Sequence, residues 1–421
     1  MRTDPPSAPS WVLRLVVVTV LVGVGSGVGG GIVYLGLHYI QHLAFGYSEG
    51  TFLEGLLDAP PANRVIALAL AGVIGGVGWW ALRGWGRRRP ERAIVSVEAS
   101  VGGRRMPALV TLLNAALQIV IVGLGASIGR EVAPREIGAM LAGWLAERAG
   151  VSGRQRRILV ACGAGAGLAA VYNVPFGGAV FAVEILLAEV SFATVIPALV
   201  TSAVAALVAR LVVPANPLYH VQHLSLSPTI VVWSVLAGPI VGLAAVGFVR
   251  TAQFAQRRRP KSWGILIVMP LVFVAVGVAS LWFPAILGNG RALGQVAFSA
   301  TMPVLLILAM SAVKFAATVG TIGAGAAGGT LTPSLAIGAG FGLAVGALWS
   351  LVWPGAPLAA FALMGAAAFL AVTMRAPLTA LLLVMEFTGQ GVDMLAPVML
   401  CIAGAVGIGY LLERTRVTGV A

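Results

Sequence analysis

Charge is what this 421-residue chain has least of. Asp, Glu, Lys and Arg together make up 10% of it, where a soluble domain carries about a quarter. Histidine occurs four times and cysteine twice. Cys162 and Cys401 each lie inside an apolar run, so a disulfide framework is excluded and both read as small buried residues. His38 and His42 share one helical face, but no third ligand accompanies them, and no metal site is expected. A nucleophile–base pair or a metal-ligand set inside an apolar segment is also missing. That argues against an intramembrane protease or lipid transferase, and no catalytic residue or cofactor is expected. Basic residues exceed acidic ones by 13 charges, yet no basic stretch interleaved with aromatics is present, so nucleic acid is not an expected partner.

Apolar sequence fills the space that charge leaves. Hydrophobic residues account for 59% of the chain, with a mean hydropathy of +0.97. Apolar runs fall near residues 11–40, 64–82, 108–128, 157–188, 193–213, 229–250, 263–288, 302–322, 335–352, 356–373 and 377–412. Several exceed the roughly 20 residues that cross a bilayer, and others are shorter or broken by glycine and proline. The chain therefore reads as an all-α, multi-pass integral membrane protein. The first run is too long and too early for a cleaved signal peptide, so it reads as a retained helix behind a polar tail over residues 1–10. The chain stops at Ala421, soon after the last apolar run, which leaves no room for a soluble regulatory domain.

Basic residues concentrate in short loops: Arg83 to Arg92, Arg154 to Arg157, and Arg257 to Lys261. Short basic loops favour the cytoplasmic side, and the N-terminus is expected there as well. Trp79 and Trp80 read as interfacial anchors. The polar segment Pro214–Ser227 divides the chain, giving a first half-repeat over 11–213, an inter-half loop over 214–228 and a second half-repeat over 229–421 with a short C-terminal tail.

The two halves share a text. Gly123-Leu-Gly125-Ala126-Ser-Ile-Gly129-Arg130-Glu131 and the following Ile137-Gly138-Ala139 match Gly323-Ala-Gly325-Ala326-Ala-Gly-Gly329-Thr330-Leu331 and Ile337-Gly338-Ala339, with seven identities at one fixed offset. A second pair follows in the same order: Asn173-Val-Pro175 with Glu184, and Arg375-Ala-Pro377 with Glu386. Duplication in an apolar chain suggests two structural repeats meeting at a midplane site. In each glycine window a long apolar run meets glycines, a non-helical turn, and a new run with proline near its start. This reads as a broken helix whose second part begins inside the membrane.

A helix N-terminus presents unpaired N–H groups and the positive end of the helix dipole. Two such ends converging at midplane make an anion site without a full positive charge, and partial charges let the anion leave as well as enter. The candidate donors are the amides of Arg130, Glu131 and Val132 and those of Thr330 and Leu331. Glu131 opens its helix, and a carboxylate there is itself an anion that competes for the site.

These residues resemble the signature segments of the CLC chloride channel and chloride/proton antiporter family. Gly129-Arg130-Glu131, Gly328-Gly329-Thr330-Leu331-Thr332-Pro333, and Asn173-Val174-Pro175 with Glu184 carry the likeness, which runs from about residue 11 to 412. The resemblance implies a bacterial member without C-terminal regulatory domains, in the inner cell membrane. It implies two inverted halves of tilted, often incomplete helices, one pore per subunit and a homodimer. It further implies that Glu131 is the gating glutamate, that the amides named above line the path, and that chloride is the transported ion.

The chain also departs from the family pattern. Val132 and Ala133 stand where the family has Gly-Pro. The family's Gly-Ser-Gly-Ile-Pro segment aligns with Glu91-Arg92-Ala93-Ile94-Val95, so its serine hydroxyl is missing; Arg92 fills its place or the backbone serves alone. The inner-gate tyrosine falls in Arg414-Thr415-Arg416-Val417-Thr418, which has none. Proton-coupled members often carry a second glutamate right after the one matching Glu184, where this chain has Ile185. That favours channel-like conduction over chloride/proton or fluoride/proton exchange. Among other polar groups, Glu184 and Glu386 are structural or part of a proton path, Glu136 pairs with Arg135, and Lys314 and Arg375 face water, pair with an acid or help to attract anions. An inverted-repeat transporter of an organic solute remains a third reading, but it calls for more midplane Asn, Gln and Ser than the apolar runs contain.

Overall fold

The computed structural model describes residues 8–418, with side chains over 11–414. Of the expected cytoplasmic tail, residues 1–7 lie outside that range and residues 8–10 open the helix Ala8–Phe45; the side chains of Thr415 to Thr418 are likewise outside it. Among the described residues the chain is all-helical, with 17 α-helices and short 3-10 and π segments. Seven helices are long and apolar enough to cross a membrane: Trp11–Phe45, Pro61–Arg88, Phe192–Ala209, Pro228–Arg257, Val304–Gly323, Leu331–Ser350 and Val392–Arg414. Five further apolar helices have 10–17 residues. At 1.5 Å per residue these fall short of the ~30 Å hydrocarbon core, so they are incomplete spans. The protein is a multi-pass integral membrane protein built from complete and interrupted helices.

The chain packs as two compact units, each gathered from three stretches. One comprises Met1–Leu35, Trp85–Ala115 and Ala133–Ala215; the other comprises Gly36–Gly84, Ala116–Val132 and Asn216–Ala421. Within the first, Gly138 on Val132–Arg148 lies so close to Gly163 on Gly153–Tyr172 that a Cβ on either would strike the other's carbonyl. Within the second, the corresponding pair is Gly338 on Leu331–Ser350 and Gly365 on Leu358–Met374. Small residues let helix backbones approach where lipid offers no hydrophobic drive for association. The sequence duplication is thus also a duplication of packing.

The backbone repeats the same way. Gly125 and Gly325 both take left-handed φ angles, +102° and +97°, as the preceding helix ends. Only glycine adopts such values without a Cβ clash, and the turn there interrupts each span. Asn173 and Arg375 both end their helices in the left-handed region, at φ 55° and 54°, and Pro175 and Pro377 then open the next helices. Asn173 is held by its own side chain: Oδ1 accepts from Arg210 Nε at 3.0 Å and Nδ2 donates to Ala215 O at 3.1 Å. Arg375 is held by an ion pair with Glu413. The repeat breaks further on. Glu184 lies in a π-helical turn, Ala182–Leu187, whereas Glu386 lies in a regular α-helix, Pro377–Thr388.

Several expectations need correction. Trp79 is fully buried, with the Arg83 guanidinium 5.9 Å from its ring centre; of the tryptophan pair only Trp80 is exposed. Arg135 also reaches an acid outside its own helix: it contacts Glu98 at 3.5 Å and lies over the Phe181 ring at 4.3 Å. Glu136 accepts from Asn114 Nδ2 through both oxygens, at 2.9 and 3.1 Å. Lys314 faces neither water nor an acid; it is fully buried and bonded to backbone carbonyls. Length explains the lysine: a four-carbon stem reaches main-chain acceptors on a neighbouring turn that hydropathy does not reveal.

Candidate functional site

The helix Ala108–Gly123 ends at a left-handed turn, and the next helix begins at Val132. The helix Val304–Gly323 ends in the same fashion, and the next begins at Leu331. Between them the two connecting segments run antiparallel for a single step. Gly129 N–H donates to Gly329 O at 2.7 Å and Gly329 N–H to Gly129 O at 3.1 Å. This reciprocal pair joins the two duplicated glycines, and each strand then turns into a helix N-terminus. Every unpaired backbone group in a membrane interior is costly, so non-helical segments there must satisfy one another.

Directly beyond the bridge sits the Glu131 carboxylate, 1% exposed. Its Oε1 accepts from the Leu331 N–H at 2.7 Å, and its Oε2 lies 3.4 Å from the Thr332 hydroxyl. Leu331 is the first residue of its helix, and its N–H has no carbonyl partner within that helix. The carboxylate therefore occupies the place where a helix N-terminus attracts an anion, a position that stabilises a negative charge by roughly 0.3–1 kcal/mol and more when partly buried. A Cβ at Gly329 would overlap the carboxylate, so the seat exists because that position is glycine.

The remaining candidates fall as follows. Arg130 is buried, and Val132 and Thr330 are half-buried at the two helix starts. Glu131, Thr330 and Leu331 are brought together, and with Arg130 and Val132 all belong to one compact unit. Arg92 belongs to the other unit, on a 3-10 turn, where its guanidinium lies 4.8 Å over the Trp85 ring. Glu184, half-buried beside half-buried Ile185, also belongs to that unit, and half-buried Glu386 to the one holding Glu131. Three participants were not assigned from sequence. Thr332 carries a hydroxyl at the second helical position, a natural partner for a capping carboxylate. Ser127 and Thr318 meet through their hydroxyls at 3.2 Å. Hydroxyls in apolar sequence are the signal that could have found them, because each needs a partner when buried.

Comparison with known proteins identifies the family. The chain is 29% identical over 351 residues to a voltage-gated ClC-type chloride channel, ClcB, of Citrobacter koseri, covering 81% of this chain and 83% of that one. It is 33% identical over 323 residues to a putative ClcB-like chloride channel protein of Ralstonia nicotianae, covering 73% of each. Two solved structures share the fold. A slow cyanobacterial Cl-/H+ antiporter superposes with a TM-score of 0.82 at 21% identity over 95% of each chain. A CLC-type fluoride/proton antiporter gives 0.75 at 19% identity, covering 94% of this chain and 95% of that one. The family model described as voltage gated chloride channel matches residues 71–410, well over half of the sequence. With its paired glycine bridge, its interrupted helices and this match, the chain belongs to the voltage-gated chloride channel family.

Proposed function

We propose that this protein carries chloride and similar monovalent anions across the membrane along a path gated by Glu131. One observation carries the reading: the Glu131 carboxylate holds the Leu331 N–H at 2.7 Å, at the N-terminus of a membrane helix. A seated carboxylate and a passing anion need the same donors, so each excludes the other. Protonation removes the negative charge that holds the carboxyl in place, and a high anion concentration displaces it by mass action. Once it leaves, the amides of Leu331 and Thr330, with those of Arg130, Glu131 and Val132 on the facing helix start, are available to the anion. Partial charges of this kind bind loosely enough for passage. Arg92 or the neighbouring backbone takes the place of the family's serine.

Channel-like conduction is the leading form of this reading, because Ile185 cannot titrate where a proton-shuttling glutamate would stand. A proton-coupled exchanger is the second form. It is favoured by the half-buried Glu184 in a π-turn, a distortion often found at functional sites, and by the antiporters among the solved structures of this fold. The protein is read as a homodimer in a bacterial cell membrane with its N-terminus in the cytoplasm, and as two half-repeats joined at 214–228. Reconstitution into liposomes, with chloride efflux and external pH recorded together, tests the function. Chloride efflux without stoichiometric proton uptake supports a channel, and a fixed proton ratio supports exchange. No chloride efflux from protein that is folded and inserted would refute both.

A further inference from the structure

The helix Val304–Gly323 carries two side chains, one turn apart, that both act on the segment leading to Glu131. Lys314 is 0% exposed. Its ammonium donates to Ile286 O at 2.8 Å and to Gly288 O at 2.6 Å. A buried ammonium is costly unless its donors are matched, so this side chain holds that turn firmly. The Gly288 N–H donates in turn to Gly125 O at 2.8 Å. Gly125 is the left-handed residue from which the segment to Glu131 departs. Four residues beyond Lys314, and so on the same helix face, Thr318 meets Ser127 hydroxyl to hydroxyl at 3.2 Å. The segment is thus tied at 125 through the lysine-held turn, at 127 through Thr318, and at 129 through the bridge to Gly329. Only then does it release Glu131 towards Leu331.

We infer that Lys314 and Thr318 are positioning residues for the anion path, fixing the Gly125–Glu131 segment so that the Glu131 carboxylate meets the Leu331 amide. The inference rests on the reading of Glu131 as the gate. A lysine that merely satisfied two buried carbonyls would affect stability and leave transport per folded molecule untouched. A positioning lysine acts through the carboxylate, so its effect depends on that carboxylate being present.

The test uses the full chain in liposomes, measuring chloride efflux against chloride concentration for Lys314→Met, Lys314→Arg and Thr318→Val. Each is made in the parent and in a Glu131→Gln background, with insertion and folding checked by size-exclusion profile. In the parent background, Lys314→Met and Thr318→Val are expected to shift the half-saturating chloride concentration by about tenfold, the factor carried by losing the charge-assisted bond between the Leu331 amide and the Glu131 carboxylate that both residues position. Maximal flux should change less, and Lys314→Arg should recover most of the shift. In the Glu131→Gln background the same substitutions should change little, because the group being positioned has lost its charge. Thr318→Val leaves every Lys314 contact in place and decides the matter if Lys314→Met does not fold. Parent-like chloride dependence in folded variants would overturn the inference, as would equal shifts with and without the Glu131 carboxylate. A parent protein whose chloride flux is itself indifferent to Glu131→Gln would overturn the gate, and the inference with it.

Discussion

At the scale of single residues, the seat of Glu131 is formed by one carboxylate, one amide and one missing side chain. Glu131→Gln keeps the shape and removes the charge, so its hold on the Leu331 amide weakens. Hydrogen bonds to charged groups contribute about 1.5–3 kcal/mol, so occupancy of the seat should fall by roughly one to two orders of magnitude. The expected outcome is greater chloride flux near neutral pH and loss of its pH dependence, read as efflux from liposomes over a pH series. Gly329→Ala attacks the same seat from the opposite wall, because the added methyl overlaps the carboxylate. It should reproduce the Glu131→Gln flux while Glu131 is still present; a parent-like flux would mean that the carboxylate rests elsewhere. The place of Glu131 at the start of a helix was legible in the sequence from the glycine window that precedes it. The partners of Glu136 and Lys314 were not, since Asn114 and the carbonyls of Ile286 and Gly288 lie 22 to 28 residues away and follow no local pattern.

At the scale of elements, the interruption of helices does the essential work. A continuous span would bury its own N–H groups in its own ladder and have none to offer an anion. Left-handed glycines at 125 and 325 end one helix, and the single-step bridge between Gly129 and Gly329 steadies the start of the next. The broken windows could be read from their glycines and from the repeat. The bridge could not, because pairing two residues that are 200 positions apart requires the folded backbone. Packing of the helices that follow is equally demanding. Gly338→Val would drive its side chain into Phe369 and the Gly365 carbonyl. Overpacking of this kind costs about 1–3 kcal/mol, and it should appear as a lower midpoint for heat-induced aggregation in detergent. Gly407, which has open space around it, serves as the control, and Gly407→Ala should leave the midpoint unchanged.

At the scale of the whole molecule, hydropathy made the membrane protein and most of its spans plain, because burial in lipid is written into composition. The compact units were not legible. Each is gathered from three separate stretches, and no composition change marks the joins at residues 35, 115 and 132. Proton coupling is a property of this scale, since it requires a titratable route from the gate to the cytoplasm. Ile185→Glu places a carboxyl next to Glu184 in the π-turn. It should bring measurable proton uptake into chloride efflux where the parent shows none; unchanged proton traffic would point to a route through other groups.

The central claim is that a carboxylate and a halide contend for the Leu331 amide. Anomalous diffraction from bromide-soaked crystals of the parent and of Glu131→Gln tests it most directly. Bromide should lie within hydrogen-bonding reach of the Leu331 amide in the variant, with the carboxylate of the parent holding that place alone. Bromide absent from that amide in the variant, or bound beside an unmoved carboxylate in the parent, would contradict the account.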